Sequence, residues 1–87
     1  MIYNEIKKLN YKLNEMGIEH EFRKNFDGYQ IIVRKTNSRV SIIEYHGSYG
    51  GTKDLLEAYD FVGDPEGYLT CDEAIDYLAY RGFISKE

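Results

Sequence analysis

The chain has 87 residues and a mass of 10.2 kDa, which is enough for one domain with one hydrophobic core. Hydrophobic residues make up 43% and charged residues 30%, a composition that excludes a disordered chain and a membrane-spanning chain. The single cysteine, Cys71, excludes a disulfide framework and favours a reducing compartment. With no secretion signal in the first residues, we expect one cytoplasmic domain over residues 1–87.

The net charge of −4 is distributed unevenly along the chain. Residues 1–53 hold nine Lys and Arg against six Asp and Glu, whereas residues 54–80 hold eight acidic residues and no basic one. Because affinity for a phosphate backbone comes from Lys and Arg, we expect no direct contact with nucleic acid. The acidic region would instead attract a protein with a basic surface, or it would serve only as a solvated face.

Apolar residues in the first part of the chain recur at alternating spacings of four and three, which predicts a helix. This helix covers residues 2–16, and Gly17 supplies the left-handed conformation that ends it. The apolar positions are Ile2, Ile6, Leu9, Leu13 and Met16.

The period then changes to two, which predicts three strands at residues 18–23, 29–34 and 40–45. Short turns separate these strands, so we expect an antiparallel meander, and Gly28 in the first turn is able to adopt a positive φ. The predicted core face holds Ile18, Phe22, Ile31, Val33, Val40 and Ile42. The opposite face holds Ile32, Ile43 and Tyr45, and it is apolar enough to be covered by a helix or used for binding.

Two helices are predicted in the C-terminal third. Thr52 can cap a helix over residues 53–60, and Thr70 with Glu73 forms the capping box of a helix over residues 71–80. Gly82 would end the last helix, and the segment after it would fold back on the core. The expected fold is therefore α+β, in the order α-β-β-β-α-α, with a three-stranded antiparallel meander packed against helices.

Two loops have the composition of ligand sites. The glycine-rich segment 47–53 lies between a strand and a helix, but its spacing breaks the phosphate-binding P-loop pattern. Residues 62–73 resemble an EF-hand calcium loop, with Asp64, Glu66 and Glu73 at ligand positions. Val62 stands at the first ligand position and offers no side-chain oxygen, so we predict no metal and no cofactor.

Catalytic groups are few. His20 lies on the apolar side of the first predicted strand, and His46 lies in the glycine-rich loop without an obvious partner. Cys71 begins the last helix, where the helix dipole would lower its pKa and Asp72 and Glu73 would raise it, so we predict a packed thiol. With no nucleophile and base in a recognisable pair, the chain is predicted not to be an enzyme.

Tyrosine is unusually frequent, at nine of 87 residues, and so many large rings cannot all lie inside a small core. Exposed tyrosines provide rigid amphipathic contact area for a protein partner. Together with the acidic region, they predict a partner-binding surface. Its candidate residues are Asp60, Asp64, Glu66, Tyr68, Asp72, Asp76 and Tyr49.

Four short segments resemble the small accessory proteins of phages and prophages of Gram-positive bacteria. They are residues 1–6, the turn 26–29, the loop 47–51 and the segment 67–70. The expected element order, with an acidic helical half, is also similar to one class of anti-CRISPR inhibitors of RNA-guided nucleases. Such inhibitors place carboxylates where the basic residues of the nuclease expect DNA.

The resemblance implies a non-enzymatic phage-type protein that acts in the host cytoplasm. It would inhibit a host nucleic-acid-processing or defence protein with a basic surface, RNA-guided nucleases being one such class. Two alternatives stay open. One is a small accessory domain with a degenerate calcium or ligand loop at residues 62–73, and the other is a homodimer formed through the face with Ile32 and Ile43.

Overall fold

The computed structural model describes residues 2–85, which form two helices and a five-stranded sheet. The α+β fold class is thereby confirmed. The helices are α1 (Asn4–Glu15) and α2 (Cys71–Tyr80). The strands are β1 (Glu21–Asn25), β2 (Gly28–Lys35), β3 (Ser38–Glu44), β4 (Leu56–Tyr59) and β5 (Glu66–Leu69), and a 3₁₀ turn covers Gly51–Lys53.

The sheet is antiparallel throughout, and its spatial order β1-β2-β3-β4-β5 follows the chain. The predicted meander of three strands is present as β1 to β3, with the first strand displaced from residues 18–23 to 21–25. Two further strands extend it beyond β3. The predicted order α-β-β-β-α-α is therefore wrong in its second half, where two strands precede the last helix.

The helix predicted over residues 53–60 does not form. Gly50 and Asp54 both adopt left-handed conformations, with φ of 99° and 56°, and these interrupt a helix on either side of the 3₁₀ turn. Residues 56–59 instead form a strand in which buried and half-buried side chains alternate, with Leu56 and Ala58 facing the core. A short apolar segment can form either a helix or a strand. Here the segment forms a strand because it pairs with the otherwise unpaired edge of β3.

Both helices pack on one face of the sheet and form the core with it. The predicted core residues of β2 and β3 are fully buried there, and Ile18 packs at the margin. Phe22 was expected in the core but is 38% exposed and stacks on Tyr29 instead. Ile2 and Met16, at the ends of the predicted apolar stripe, are also exposed. Ile6, Leu9 and Leu13 alone anchor α1, because only these positions lie over the sheet.

The turn between β1 and β2 uses its residues differently from the prediction. The positive φ, 56°, belongs to Phe26 and not to Gly28. Gly28 is required for another reason, since a Cβ atom there would lie 1.8 Å from the backbone oxygen of Glu44. The glycine therefore permits β2 to approach the end of β3 closely.

The predicted end signals of α2 are confirmed. Thr70 accepts a hydrogen bond from the backbone N–H of Glu73, and the Glu73 side chain accepts one from the N–H of Thr70. Gly82 has a φ of 81° at the other end, and Ile84 turns back into the core. In the part of the chain that the structure describes, neither helix has the length and apolar character that a membrane crossing requires.

Candidate protein-binding groove

An open groove of about 470 Å³ lies between β5 and α2. Three carboxylates and two tyrosine rings dominate its lining, and one arginine stands at its end. The lining residues are Glu66, Leu69, Glu73, Asp76, Tyr77, Tyr80 and Arg81. Edge strand and helix thus bring acidic and aromatic side chains together, although they are up to 15 residues apart in the chain.

The positive charge at the end of this groove is already engaged. Arg81 Nε donates to Asp60 Oδ2 at 2.9 Å, and its guanidinium lies 3.5 Å from the centre of the Tyr77 ring. Asp60 also accepts hydrogen bonds from the backbone N–H groups of Val62 and Gly63. The hydrogen bond from the Arg81 guanidinium is the main reason why the pKa of Asp60 is lowered. Because Asp60 compensates Arg81, the groove keeps a net negative character from Glu66, Glu73 and Asp76.

Tyr77 contributes a buried polar atom to this site. Its side chain is 5% exposed, and its hydroxyl has no hydrogen-bond partner within residues 2–85. Burial raises the pKa of this tyrosine, so the hydroxyl stays protonated. Buried polar groups are nearly always hydrogen-bonded in folded proteins, so this hydroxyl is an exception among the residues beside the groove.

The structure separates the seven predicted partner-binding residues into groups. Glu66 and Asp76 line the groove. Asp60 does not line it but binds Arg81, which does. Tyr49 and Tyr68 are neighbours, since the N–H of Tyr68 donates to the carbonyl of Tyr49 at 3.2 Å. Both rings are more than half exposed. These two tyrosines form an exposed aromatic patch beside β5, and neither of them lines the groove.

The other two predicted residues lie elsewhere. Asp72 forms an ion pair with Lys12 at 2.7 Å and so connects α2 to α1. Asp64 lies exposed in the loop between β4 and β5. Sequence reasoning missed Glu73 and Tyr80 as groove residues, although Glu73, Asp76 and Tyr80 are spaced by three and four, as one helix face requires.

Two of the residues considered for catalysis, His20 and Cys71, have structural contacts. His20 bridges the carbonyl of Ile18 at 2.8 Å and the side-chain oxygen of Asn10 at 2.7 Å, so it ties α1 to the start of the sheet. Cys71 is buried, and burial raises the pKa of its thiol, as expected for a packed cysteine. Its N–H donates to Glu5 of α1 at 2.7 Å.

A buried carboxyl group that sequence reasoning missed lies beneath α1. Glu44 is fully buried, and its Oε1 accepts the N–H of Ile6 at 3.1 Å. Burial, together with the neighbouring Asp54 carboxylate, raises the pKa of Glu44 to about 8. Asp54 in turn accepts the N–H of Glu5 at 3.1 Å. Two distant acidic residues thus cap a helix whose own N-cap residue, Tyr3, makes no capping hydrogen bond with its side chain, since the Tyr3 hydroxyl donates to Asp27 instead.

The two loops with ligand-like composition are both structural. In segment 47–53 the N–H groups of Ser48, Gly51 and Lys53 donate to carbonyls within residues 45–50, so they do not point toward an anion. Segment 62–73 is preceded by β4 and contains β5, so the first helix of an EF-hand is absent. Among residues 2–85 no cluster of three or more His, Cys, Asp or Glu has an arrangement that could bind a metal ion.

Comparison with known proteins identifies no relative: no family model matches the chain, and no curated protein or solved structure is significantly similar to it. The groove and its surroundings are therefore the basis for a functional proposal.

Proposed function

We propose that this protein is a non-enzymatic inhibitor of the phage type, which binds a basic segment of a host nucleic-acid-processing or defence protein. The observation that supports this function is the convergence of Glu66, Glu73 and Asp76 on one groove beside two tyrosine rings. Lys and Arg side chains are the complementary groups for such a lining, because they pair with carboxylates and also stack on aromatic rings.

The three carboxylates lie on elements whose positions are fixed. Glu66 lies on β5, which pairs with β4, and Glu73 and Asp76 lie on a helix that begins with a complete capping box. Because the backbone beneath these side chains is ordered before binding, binding of a partner would cost little additional backbone entropy.

Inhibition would follow from competition. Proteins that process nucleic acids present Lys and Arg where the phosphate backbone binds, and an acidic groove on a small domain would occupy those residues. Tyr80, which lines the groove and is 89% exposed, would supply apolar contact area beside the charges, and the separate patch of Tyr49 and Tyr68 would extend the contact. RNA-guided nucleases are one class of partner with such a basic surface.

The test is to capture a partner from host lysate and to measure both binding rates at two salt concentrations. The double variant Glu66→Gln/Asp76→Asn removes two groove charges, and the matched control Glu15→Gln/Glu19→Gln removes two exposed charges outside the groove. Charges at a rim act mainly on the association rate, so the groove variant should associate more slowly, most clearly at low salt.

Tyr68→Ala should leave association nearly unchanged and speed dissociation, since it removes contact area but no charge. The proposal fails if the groove variant associates at the rate of the parent protein at low salt. In that case the acidic region would serve only as a solvated face.

A further inference from the structure

The sheet face opposite the helices is a second surface, and it differs in character from the acidic groove. No helix of the described chain packs on it. Ile32, expected on a face that is covered by a helix or used for binding, is 5% exposed without a helix above it, and Ile43 is half-buried. The surface is therefore not a broad apolar patch but a mixture of aromatic, basic and amide side chains.

Two pairs of aromatic rings flank a groove of about 240 Å³ on this face. Phe26 and Tyr45 lie with their ring centres 4.7 Å apart, and Tyr59 and Phe61 lie 4.6 Å apart. Tyr59 is paired in register with Ser41, four residues from Tyr45, so the two pairs lie about 13 Å apart along the strands. One small planar ring cannot contact both pairs, but successive bases of a strand can.

Arginines stand on the same face. Arg34 on β2 is directly opposite Arg39 on β3, and like charges in this position oppose each other's strand pairing. Glu21 pairs with Arg34 and, at 3.4 Å, with Arg23. Arg39 has no carboxylate partner within residues 2–85, and its guanidinium lies 4.1 Å from the centre of the Phe61 ring. Stacking on the ring orients this guanidinium and leaves its N–H donors available for an anion.

The floor between the aromatic pairs is polar. Gln30 donates to the hydroxyl of Ser41 at 2.8 Å, and both side chains line the groove. An amide and a hydroxyl provide donors and acceptors of the kind that recognise the edge of a nucleobase. Glu57 also lines the groove, but it accepts a hydrogen bond from the N–H of Tyr49 at 2.8 Å.

We infer that this face binds a single-stranded nucleic acid, with bases stacked on the two aromatic pairs and a phosphate on Arg39. Aromatic stacking, a stacked guanidinium and polar groups for base edges are the three components of single-strand recognition. A duplex hides its base faces, and the modest positive charge here would not hold it. The inference departs from our expectation of no direct contact with nucleic acid, which was based on the acidic C-terminal third.

The experiment measures fluorescence anisotropy of labelled oligothymidine and oligouridine of about 12 nucleotides, within the usual range of single-strand site sizes. Binding of either at low salt is expected, and comparing the two distinguishes DNA from RNA. A duplex of equal length should bind more weakly. If both single strands fail to bind, or if the duplex binds as tightly as they do, the inference is wrong.

Three variants locate the site. Phe61→Leu keeps an apolar side chain but removes the ring, and Arg39→Gln removes the stacked charge; each should weaken binding roughly fivefold to hundredfold. Arg39→Gln should also reduce the dependence of affinity on salt. Lys7→Gln removes one exposed charge from α1, on the opposite face, and should leave affinity unchanged. Equal effects of Arg39→Gln and Lys7→Gln would contradict a site on the sheet.

This inference is independent of the proposed inhibitor function. Glu66→Gln/Asp76→Asn lies outside the sheet face, so this variant should bind oligonucleotides at least as well as the parent protein. If instead a captured protein partner is lost on Phe61→Leu while oligonucleotides never bind, the sheet face is a protein interface and the inference fails.

Discussion

The carboxyl of Glu44 accepts the backbone N–H of Ile6 at 3.1 Å, so a fully buried acid at the end of β3 caps the helix that packs above it. This contact joins residues 38 positions apart and orients α1 on the sheet. Around it lie two further carboxylates: Asp54 accepts from Glu5, and Glu5 accepts from Cys71 at the start of α2. The N-termini of both helices thus depend on one cluster of acidic side chains.

The Glu44 cap makes stability dependent on pH. Because burial raises the pKa of Glu44 from 4.5 to about 8 in the folded protein, the folded state holds a proton that the unfolded chain releases. This stabilisation is complete below pH 4.5 and is lost as the pH rises through 8. Glu44→Gln cannot ionise, so its free energy of unfolding should change little over this range, while that of the parent protein falls by several kcal/mol.

Denaturant unfolding of both proteins at intervals between pH 5 and pH 9 measures this difference. Glu15→Gln, which replaces an exposed carboxylate at the last residue of α1, is the control and should follow the parent protein. A parent stability that does not fall between pH 6 and pH 9 would show that Glu44 is ionised in the folded state.

Gly28 should tolerate no side chain. A Cβ atom would lie 1.8 Å from the backbone oxygen of Glu44, and only a separation of β2 from β3 could relieve this contact. We expect Gly28→Ala to lower the free energy of unfolding by about 3 kcal/mol or more. Gly63→Ala is the matched control, because no atom lies within 4 Å of the corresponding Cβ. Equal stability of the two variants would contradict the close approach.

The capping box of α2 should contribute measurably to stability. Thr70→Ala removes the oxygen that accepts the N–H of Glu73, which should cost about 1 kcal/mol and lower the melting temperature by several degrees. Thr70→Ser keeps the hydroxyl and should retain most of this stability. Thermal unfolding followed by circular dichroism distinguishes the two, and a serine variant as unstable as the alanine variant would mean that the methyl group, not the cap, is important.

Asp60 should behave differently from the neighbouring acidic residues, although the sequence suggests equal roles. Its side chain binds Arg81 and two backbone N–H groups, so Asp60→Ala should lower the free energy of unfolding by about 1–2 kcal/mol. Asp64→Ala, in the same loop, should change it by less than about 0.5 kcal/mol. Chemical denaturation of the pair tests this difference, and similar effects would exclude a structural role for Asp60.

Local sequence signals determined α1, the meander of β1 to β3 and α2. In each case the signal lies within a few residues: the stripe of Ile6, Leu9 and Leu13, the alternation around Ile31 and Ile42, and the Thr70–Glu73 box. Such periodic and capping patterns depend on the geometry of one element, so they are readable before the tertiary structure is known. The acidic and tyrosine-rich character of the C-terminal third is likewise a property of composition.

Tertiary structure alone decided the remainder. Residues 56–59 became a strand because β3 offered an unpaired edge, and no local pattern records that edge. The pairing of β4 also places β5 beside α2, so that Glu66 lies near Asp76 and Tyr80 and the groove forms between them. Asp72 lies elsewhere, in an ion pair with Lys12. Burial of Glu44 beneath α1 and its contact with Ile6 also depend on the packing of distant segments. Contacts of this kind join positions far apart in the chain, so the sequence determines them only through the complete fold.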